Sequence, residues 1–501
     1  MSEKKFNLKN YIGIGLIILS AAAFVLMLMQ TLTEDIWYDE VFSVGFMERS
    51  IGEICALTAR DVHPPFYYIY LKVMAGVLAL IPGVSQITAA KLASLIPWVA
   101  LLALGLTFVR KRFSLFTAGA FLFLITCMPQ LGIYYLEIRM YSLALLLITG
   151  AFLISVSIMD SPKLYKWILL WILGALTAYT QYYACVAIVA LYIVLGIYLI
   201  IEKRFKDFRM EALMALLSAI IYIPWLPSLY RQMTTISGNY WIQPLTIRSI
   251  FGCVKFVALP VVSYSLLPYI SVGLVLLVTI AAAVIFIIKR QPVRSEIYVA
   301  FGGFGIIFFV ILSGFILSAM GTPIFTYRYM IPCLGALYLG IAYILDKSSE
   351  RVLILLFICP FILEGFLSIK GLYEEEHKKI VYTPQTMEAL SQIPDNSVII
   401  TNFDHVTSIM SYYMKNDEIY LYEGSPDPLI PAMFMNCKGE ILREDIPKTV
   451  ASNPDVYFFG SFNSREDILK DWEELSVNYE EENSCLLERY WFNIYKLSCG
   501  E

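Results

Sequence analysis

Apolar runs close to 20 residues long recur from Tyr11 to Ile369, each closed by polar or basic positions. A helix needs about 20 such residues to cross the hydrocarbon core of a bilayer. The pattern therefore predicts eleven spans: 11–30, 90–109, 114–133, 140–159, 165–181, 184–201, 211–229, 268–288, 297–320, 329–345 and 352–369. From Leu372 onward the period changes. Short β-rich runs ("NSVIIT", "EIYLYE", "DVYFFGSF", "YWFNIYKLS") alternate with helix-like segments ("HVTSIMSYYMK", "SREDILKDWEEL"), which predicts a small α/β domain. The expected fold class is mainly α, a polytopic membrane protein of about 11 transmembrane helices plus interfacial helices, with a C-terminal soluble α/β domain. Residues 1–371 are expected to form the membrane domain, with 31–89 as its first extracytoplasmic loop, and 372–501 the α/β domain.

A further apolar run, 64–81, competes as a span, and the bases decide its place. Arg110, Lys111 and Arg112 belong on the cytoplasmic side, and a crossing at 64–81 would put them outside and invert every later loop. As a helix lying at the outer interface, it leaves the basic clusters together: Lys4/Lys5/Lys9, 110–112, Lys163/Lys166, Lys203/Arg204/Lys206/Arg209, Lys289/Arg290/Arg294 and Lys347/Arg351. The N-terminus is then expected in the cytoplasm and, after an odd number of spans, the α/β domain outside. Composition agrees. The chain is 58% hydrophobic with a mean hydropathy of +0.68, more than a soluble core uses. Its net charge of −4 hides a split, with 24 acids against 10 bases from Leu372 onward and 17 against 27 before it. The first apolar run lacks a small-residue cleavage site and reads as an uncleaved anchor. The nine cysteines show no metal-ligand spacing, and the three in the tail (Cys437, Cys485, Cys499) are an odd number from which no disulfide is expected.

This topology collects ionisable groups on the outer side. "DIWYDEVFSV" sets Asp39 and Glu40 among Trp37, Tyr38, Val41 and Phe42 as the chain leaves the first span. "RDVHPPFYY" adds Asp61 and His63, "YYLEIRMY" adds Glu137 and Arg139, and "FTYRYMIP" adds Arg328; "TQYYA" and "YWIQP" bring Tyr182, Tyr183 and Trp241. Charges at membrane depth are costly and usually functional, and both signs on one face suit an anionic, lipid-borne substrate. Each motif also has a plainer reading. Acids at a helix start favour its dipole, and prolines start helices, leaving His63 a satisfied surface residue. Arginines snorkel, and tyrosines build interfacial belts.

The order of the motifs says more than any one of them. "WYDEVFSV" after the first span, then "DVHPPFYYIYLKV", then "LEIRMYSLALLL" opening the fourth span and "RYMIP" opening a late one resemble the GT-C superfamily of membrane glycosyltransferases. The likeness is to bacterial members related to the protein O-mannosyltransferases and the lipid A aminoarabinose transferases, and it covers about 11–369. It implies a sugar taken from a polyprenyl-phosphate carrier and transferred with inversion on the outer face. Inverting transfer needs a base at the acceptor hydroxyl, stabilisation of the departing phosphate, and a dry pocket. On this resemblance Asp39 and Glu40 are the catalytic candidates, with Asp39 as base. Asp61, His63 and Glu137 are acceptor- or metal-binding candidates. Lys91, Arg139 and Arg328 are candidates for the donor phosphate, which arginine binds at two points. Tyr141, Tyr182 and Trp241 would contact the donor sugar or lipid. Two positions depart from the pattern. Lys91 in "KLASLIP" stands where relatives often carry arginine, keeping the charge without the fork, and Gln181 stands where they often carry histidine.

The expected partners are a polyprenyl-phosphate sugar donor, membrane lipids and an acceptor glycan, lipid or protein, with no nucleic acid. A divalent cation is compatible with the acids and not required by the sequence. The competing reading is a transporter or lipid flippase, which expects charge near mid-membrane and repeats related by pseudo-symmetry. Here mid-span positions are almost free of charge and no repeat is visible. The tail shows no catalytic constellation, since Asp404 and His405 are adjacent without a nucleophile beside them.

Overall fold

The computed structural model describes residues 8–127, 131–235, 242–258, 266–321, 323–348 and 351–500. The chain divides into two compact units. Met1–Met29, Thr58–Tyr70 and Leu92–Glu374 form the first, and Gln30–Leu57, Leu71–Lys91 and Glu375–Glu501 the second.

The first unit is helical. Among the described residues, eight helices are long and apolar enough to cross a bilayer: Leu8–Leu28, Gln86–Arg112, Tyr141–Asp160, Tyr182–Ile201, Phe205–Thr235, Val272–Arg290, Arg294–Met320 and Tyr327–Ser348. Helices stand at the other three expected spans too. Leu115–Cys127 has 13 residues, Leu164–Ala178 has 15, and 352–369 lies within the 41-residue helix Arg351–Ser391. The mainly helical reading holds. The ambiguous run 64–81 is helix Phe66–Leu78, whose 13 residues extend about 20 Å. Helix Leu115–Cys127 is buried on every side from Phe116 to Cys127, the mark of a core helix. Its neighbour Leu8–Leu28 reaches it through glycine. A Cβ on Gly119 would fall 2.3 Å from the Gly13 carbonyl oxygen, so this crossing depends on the absence of a side chain, as close helix contacts in membranes commonly do.

The second unit is built on a six-stranded sheet of order β3-β2-β1-β4-β6-β5. Its strands are β1 Val398–Thr401, β2 Glu418–Tyr422, β3 Cys437–Ile441, β4 Val456–Gly460, β5 Val477–Leu487 and β6 Tyr490–Cys499. The first four run parallel, while β6 pairs antiparallel with β4 and β5 antiparallel with β6. Every residue of β1 and β4 is buried, which is why central parallel strands read as unbroken apolar runs. Ile400, Phe458 and Trp472, each fully buried, belong to one core cluster. The α/β pattern expected for the tail is present, with β3 and β5 as strands the sequence pattern did not announce. The first-loop helix Tyr38–Met47 belongs to this unit and packs on helix Asp404–Tyr413. A Cβ on its Gly45 would meet Met433 Sδ and Phe434 at 2.9 Å.

Candidate active site

In the first unit the site starts from the two prolines of "DVHPPFYY". Pro64 and Pro65 bias the backbone to extended geometry just ahead of helix Phe66–Leu78, and Phe66 N donates to the Tyr179 carbonyl at 3.0 Å. His63 is thereby held in the interior, 8% exposed. Arg139, 4% exposed, comes from the bend ahead of helix Tyr141–Asp160 and brings Nη2 to 3.4 Å from His63 Nε2. Arg328, from the turn Tyr327–Met330, holds its guanidinium carbon 6.0 Å from the centre of the Tyr141 ring. Burial first, then the charges of Arg139 and Arg328, keep the His63 pKa well below its ordinary 6.5, so the ring is neutral. Asp61 Oδ2 lies 3.7 Å from His63 Nδ1, but burial and the two guanidiniums outweigh that one carboxylate, and the contact is to a neutral imidazole.

His63 also lines a cavity of about 550 Å³, within the range of small-molecule sites. The other walls are mainly apolar and aromatic, including Tyr182, Met233, Met320 and Tyr329. Tyr183 and Tyr329 stack with ring centres 4.8 Å apart. The Tyr182 hydroxyl donates to Gln232 Oε1 and accepts from Trp225 Nε1 at 3.1 Å. Gln232 Nε2 in turn donates to the Thr58 carbonyl at 2.8 Å. Gln181, where a histidine was the comparison, caps helix Tyr182–Ile201, its Oε1 accepting from Ala184 N at 2.9 Å.

In the second unit Asp39 and Glu40 occupy the first turn of helix Tyr38–Met47, where carboxylates favour the dipole. The two differ in use. Glu40, 3% exposed, turns back to accept the Trp37 amide at 3.1 Å and so caps its own helix. Asp39 is half-buried. Just upstream, Asp35 pairs with Lys91 at 2.9 Å and with Lys379 at 3.3 Å, and Lys379 pairs with Glu376 at 2.7 Å. Lys91 also donates to the Thr33 carbonyl at 2.8 Å. Burial alone would raise the Asp35 pKa, yet the charges of Lys379 and Lys91 prevail and hold it well below the usual 3.8. Burial opposes the charge of Lys379 as well, and Asp35, Glu376 and Glu40 together lift its pKa above 10.5.

The structure thus brings together Asp61, His63, Arg139, Arg328 and Tyr141 within one unit, with Tyr182 on the wall of the adjoining cavity. Asp39, Glu40 and Lys91 belong to the other unit, and Lys91 lies in the ion pair with Asp35. Trp241 lies outside the described residues. Sequence reasoning passed over Asp35, Lys379, Trp225 and Gln232, each of which has a partner far away along the chain. Among the described residues no group of three or more His, Cys, Asp or Glu side chains is gathered to hold a metal ion, and none of the nine cysteines forms a disulfide.

No protein-family model matches the chain, and no curated protein matches it in sequence. Solved structures do match. The crystal structure of ArnT from Cupriavidus metallidurans in the apo state superposes with a TM-score of 0.57 over 97% of this chain and 98% of that one, at 10% identity. ArnT bound to undecaprenyl phosphate gives 0.55 over 96% and 97%, at 11% identity. An oligosaccharyltransferase from Archaeoglobus fulgidus tethered with an acceptor peptide gives 0.49 over 97% of this chain and 74% of that one, at 11% identity. The likeness to ArnT, a lipid A aminoarabinose transferase, extends over nearly the whole of both chains, and this chain has its GT-C membrane fold.

Proposed function

We propose that this chain is a membrane glycosyltransferase. It takes a sugar from a polyprenyl-phosphate-linked donor and passes it, with inversion, to a lipid, glycan or protein acceptor on the outer face of the membrane. The observation that carries the reading is the pair of guanidiniums, Arg139 and Arg328, around a neutral His63 on the wall of a mainly apolar cavity. A departing polyprenyl phosphate gains negative charge beside a hydrocarbon chain, and it needs cations at an apolar wall. The shared fold supports the same reading, because one of the matched structures is of ArnT bound to undecaprenyl phosphate.

In this reading Arg139 and Arg328 hold the phosphate, and Tyr141 and Tyr182 contact donor sugar or lipid. Asp61 and Glu137 orient the acceptor. Lys91 keeps Asp35 in place instead of touching phosphate. Asp39 takes the proton of the acceptor hydroxyl, while Glu40 caps the helix that carries it. The basic clusters support an N-terminus in the cytoplasm and 372–501 outside, and an active cytoplasm-only reporter fused at Glu501 would contradict that orientation.

The decisive assay offers purified protein in detergent a panel of polyprenyl-phosphate sugars and measures released polyprenyl phosphate. Release from at least one is expected, and none from any would sink the proposal. Asp39→Asn keeps size and polarity but accepts no proton, so transfer should fall by about 10²–10⁴-fold with donor binding retained. Were a folded Asp39→Asn protein to transfer at the original rate, the role of base would pass to Asp61 and then to Glu137.

A further inference from the structure

Helix Tyr38–Met47 carries the proposed base, and side chains of the sheet domain hold its first residue. We infer that His405 and Glu488 are positioning residues that fix Tyr38 and thereby set where the Asp39 carboxylate stands. The catalytic consequence rests on the reading of Asp39 as base, whereas the hold itself does not.

Glu488 lies in the tight turn joining β5 to β6, its φ of +58° in the left-handed region, and its side chain is 9% exposed. One carboxylate oxygen, Oε1, accepts the Tyr38 amide at 2.6 Å, and the other, Oε2, pairs with His405 Nδ1 at 3.0 Å. The His405 ring then stacks on the Tyr38 ring, 3.9 Å between centres and 9° from parallel. Three contacts close a circuit around one residue, and the Tyr38 hydroxyl is bonded to Asp404 besides. The chain just before it is held too. Ile36 N donates to the Tyr413 hydroxyl at 3.0 Å, and that hydroxyl donates to the Glu34 carbonyl at 2.7 Å. Asp39 follows the residue gripped at amide and ring, so it inherits that placement.

The location in the sheet explains how the domain comes to do this. β1 lies between β2 and β4, and the strand order reverses there. In open α/β sheets the carboxyl ends of the strands at such a point are where ligands are bound. Here Asn402 Nδ2 donates to the Ser461 carbonyl at 2.7 Å and Ser461 N donates to Asn402 Oδ1 at 3.2 Å, joining the ends of β1 and β4. His405, in the helix that follows β1, meets Tyr38 beside that joint. The end of the sheet that elsewhere receives a ligand receives a loop of the same chain.

The hold is sensitive to pH. Burial works to lower the His405 pKa, but Glu488, Asp404 and Asp39 together raise it above 6.5, and these acids and Tyr38 face it. A histidine raised in the folded state contributes fully below its unfolded pKa, and the contribution is lost as pH rises through the folded value. The hold therefore loosens on the alkaline side.

The test uses the full-length protein in detergent, with His405→Ala, Glu488→Ala and His405→Gln. It reads amide hydrogen exchange of 38–47 together with kcat and donor KM across pH. Removing a charge-assisted contact should raise exchange in 38–47 about tenfold and lower kcat about tenfold, with donor KM unchanged and β1 and β4 still protected. His405→Gln still donates to Glu488 but does not titrate, so it should keep most of kcat and lose the alkaline rise in exchange. Unchanged exchange in both alanine variants would overturn the inference. Faster exchange with unchanged kcat would leave the hold standing and reject Asp39 as base. If the alanine variants fail to fold, His405→Gln decides, and an alkaline rise that persists in it overturns the inference.

Discussion

In the second unit two carboxylates, half-buried Asp35 and buried Glu376, answer two lysines, Lys91 and Lys379, at 2.7–3.3 Å. In the first unit two guanidiniums bear on one histidine, which remains neutral in spite of Asp61 at 3.7 Å. A largely buried cluster balanced within itself is a fastening, since each charge offsets the desolvation of the next and losing one member leaves another less well paired. A cluster in which burial first, and then two guanidiniums, keep the histidine unprotonated is suited to receive an anion, whose own charge offsets theirs. Buried charge alone does not mark a binding site. The sign of the neighbours does.

The largest effect separating the two should come from Lys91→Met, which keeps the side-chain length and removes the charge. We expect a stability loss of about 3 kcal/mol, by analogy with broken buried pairs, read as a lower Tm in detergent, with donor affinity of the folded protein unchanged. Lost donor binding at an unchanged Tm would return Lys91 to the phosphate. Next come Arg139→Ala and Arg328→Ala, each expected to weaken donor binding about ten- to a hundredfold, the worth of a charge-assisted contact of roughly 1.5–3 kcal/mol. If both leave titrated donor affinity intact, the phosphate is held elsewhere.

Acid offers a finer separation. The His63 pKa is depressed on folding, so its contribution is present above about pH 6.5 and declines as pH falls and the unfolded chain takes the proton. The Asp35 carboxyl is also depressed, but from 3.8, so its contribution is lost only as pH falls toward and below that value. Thermal melts between about pH 7.5 and 5 should therefore fall in the wild type and flatten in His63→Gln, while Lys91→Met keeps the original slope; a slope retained in His63→Gln would assign it to another group. The smallest effect is expected from Lys203→Ala on the basic side. It should alter stability by less than about 0.5 kcal/mol and leave donor binding alone, and a measurable loss of binding would break the distinction between the two faces.

Much of the fold was legible because a bilayer or a parallel sheet writes a long, regular signal. The apolar runs marked a helix at every expected span, and "NSVIIT" and "DVYFFGSF" marked β1 and β4, whose faces are both buried. β5 escaped notice because it is an edge strand carrying Glu480, Glu481 and Glu482 in succession, half solvated where alternation was the cue. β3, with Lys438 and Glu440 exposed, escaped in the same way at the other edge. In the candidate site the sequence pointed to Asp61, His63, Arg139 and Arg328 individually, because charge in apolar surroundings is visible one residue at a time.

What the sequence determined by itself was composition-driven: a helical membrane part, an acidic α/β tail, and a set of ionisable residues in apolar context, all following from local hydrophobicity and period. Which of those residues share an environment follows from how the folded chain packs. Packing set Lys91 on Asp35 and turned Glu40 back on its own helix. It brought Arg139 to His63 from 76 positions away, and Glu488 to Tyr38 from 450. The physical reason is that a pairing energy depends on distance and burial, while the chain records only order. Two carboxylates adjacent in sequence, Asp39 and Glu40, can therefore differ entirely in what they do.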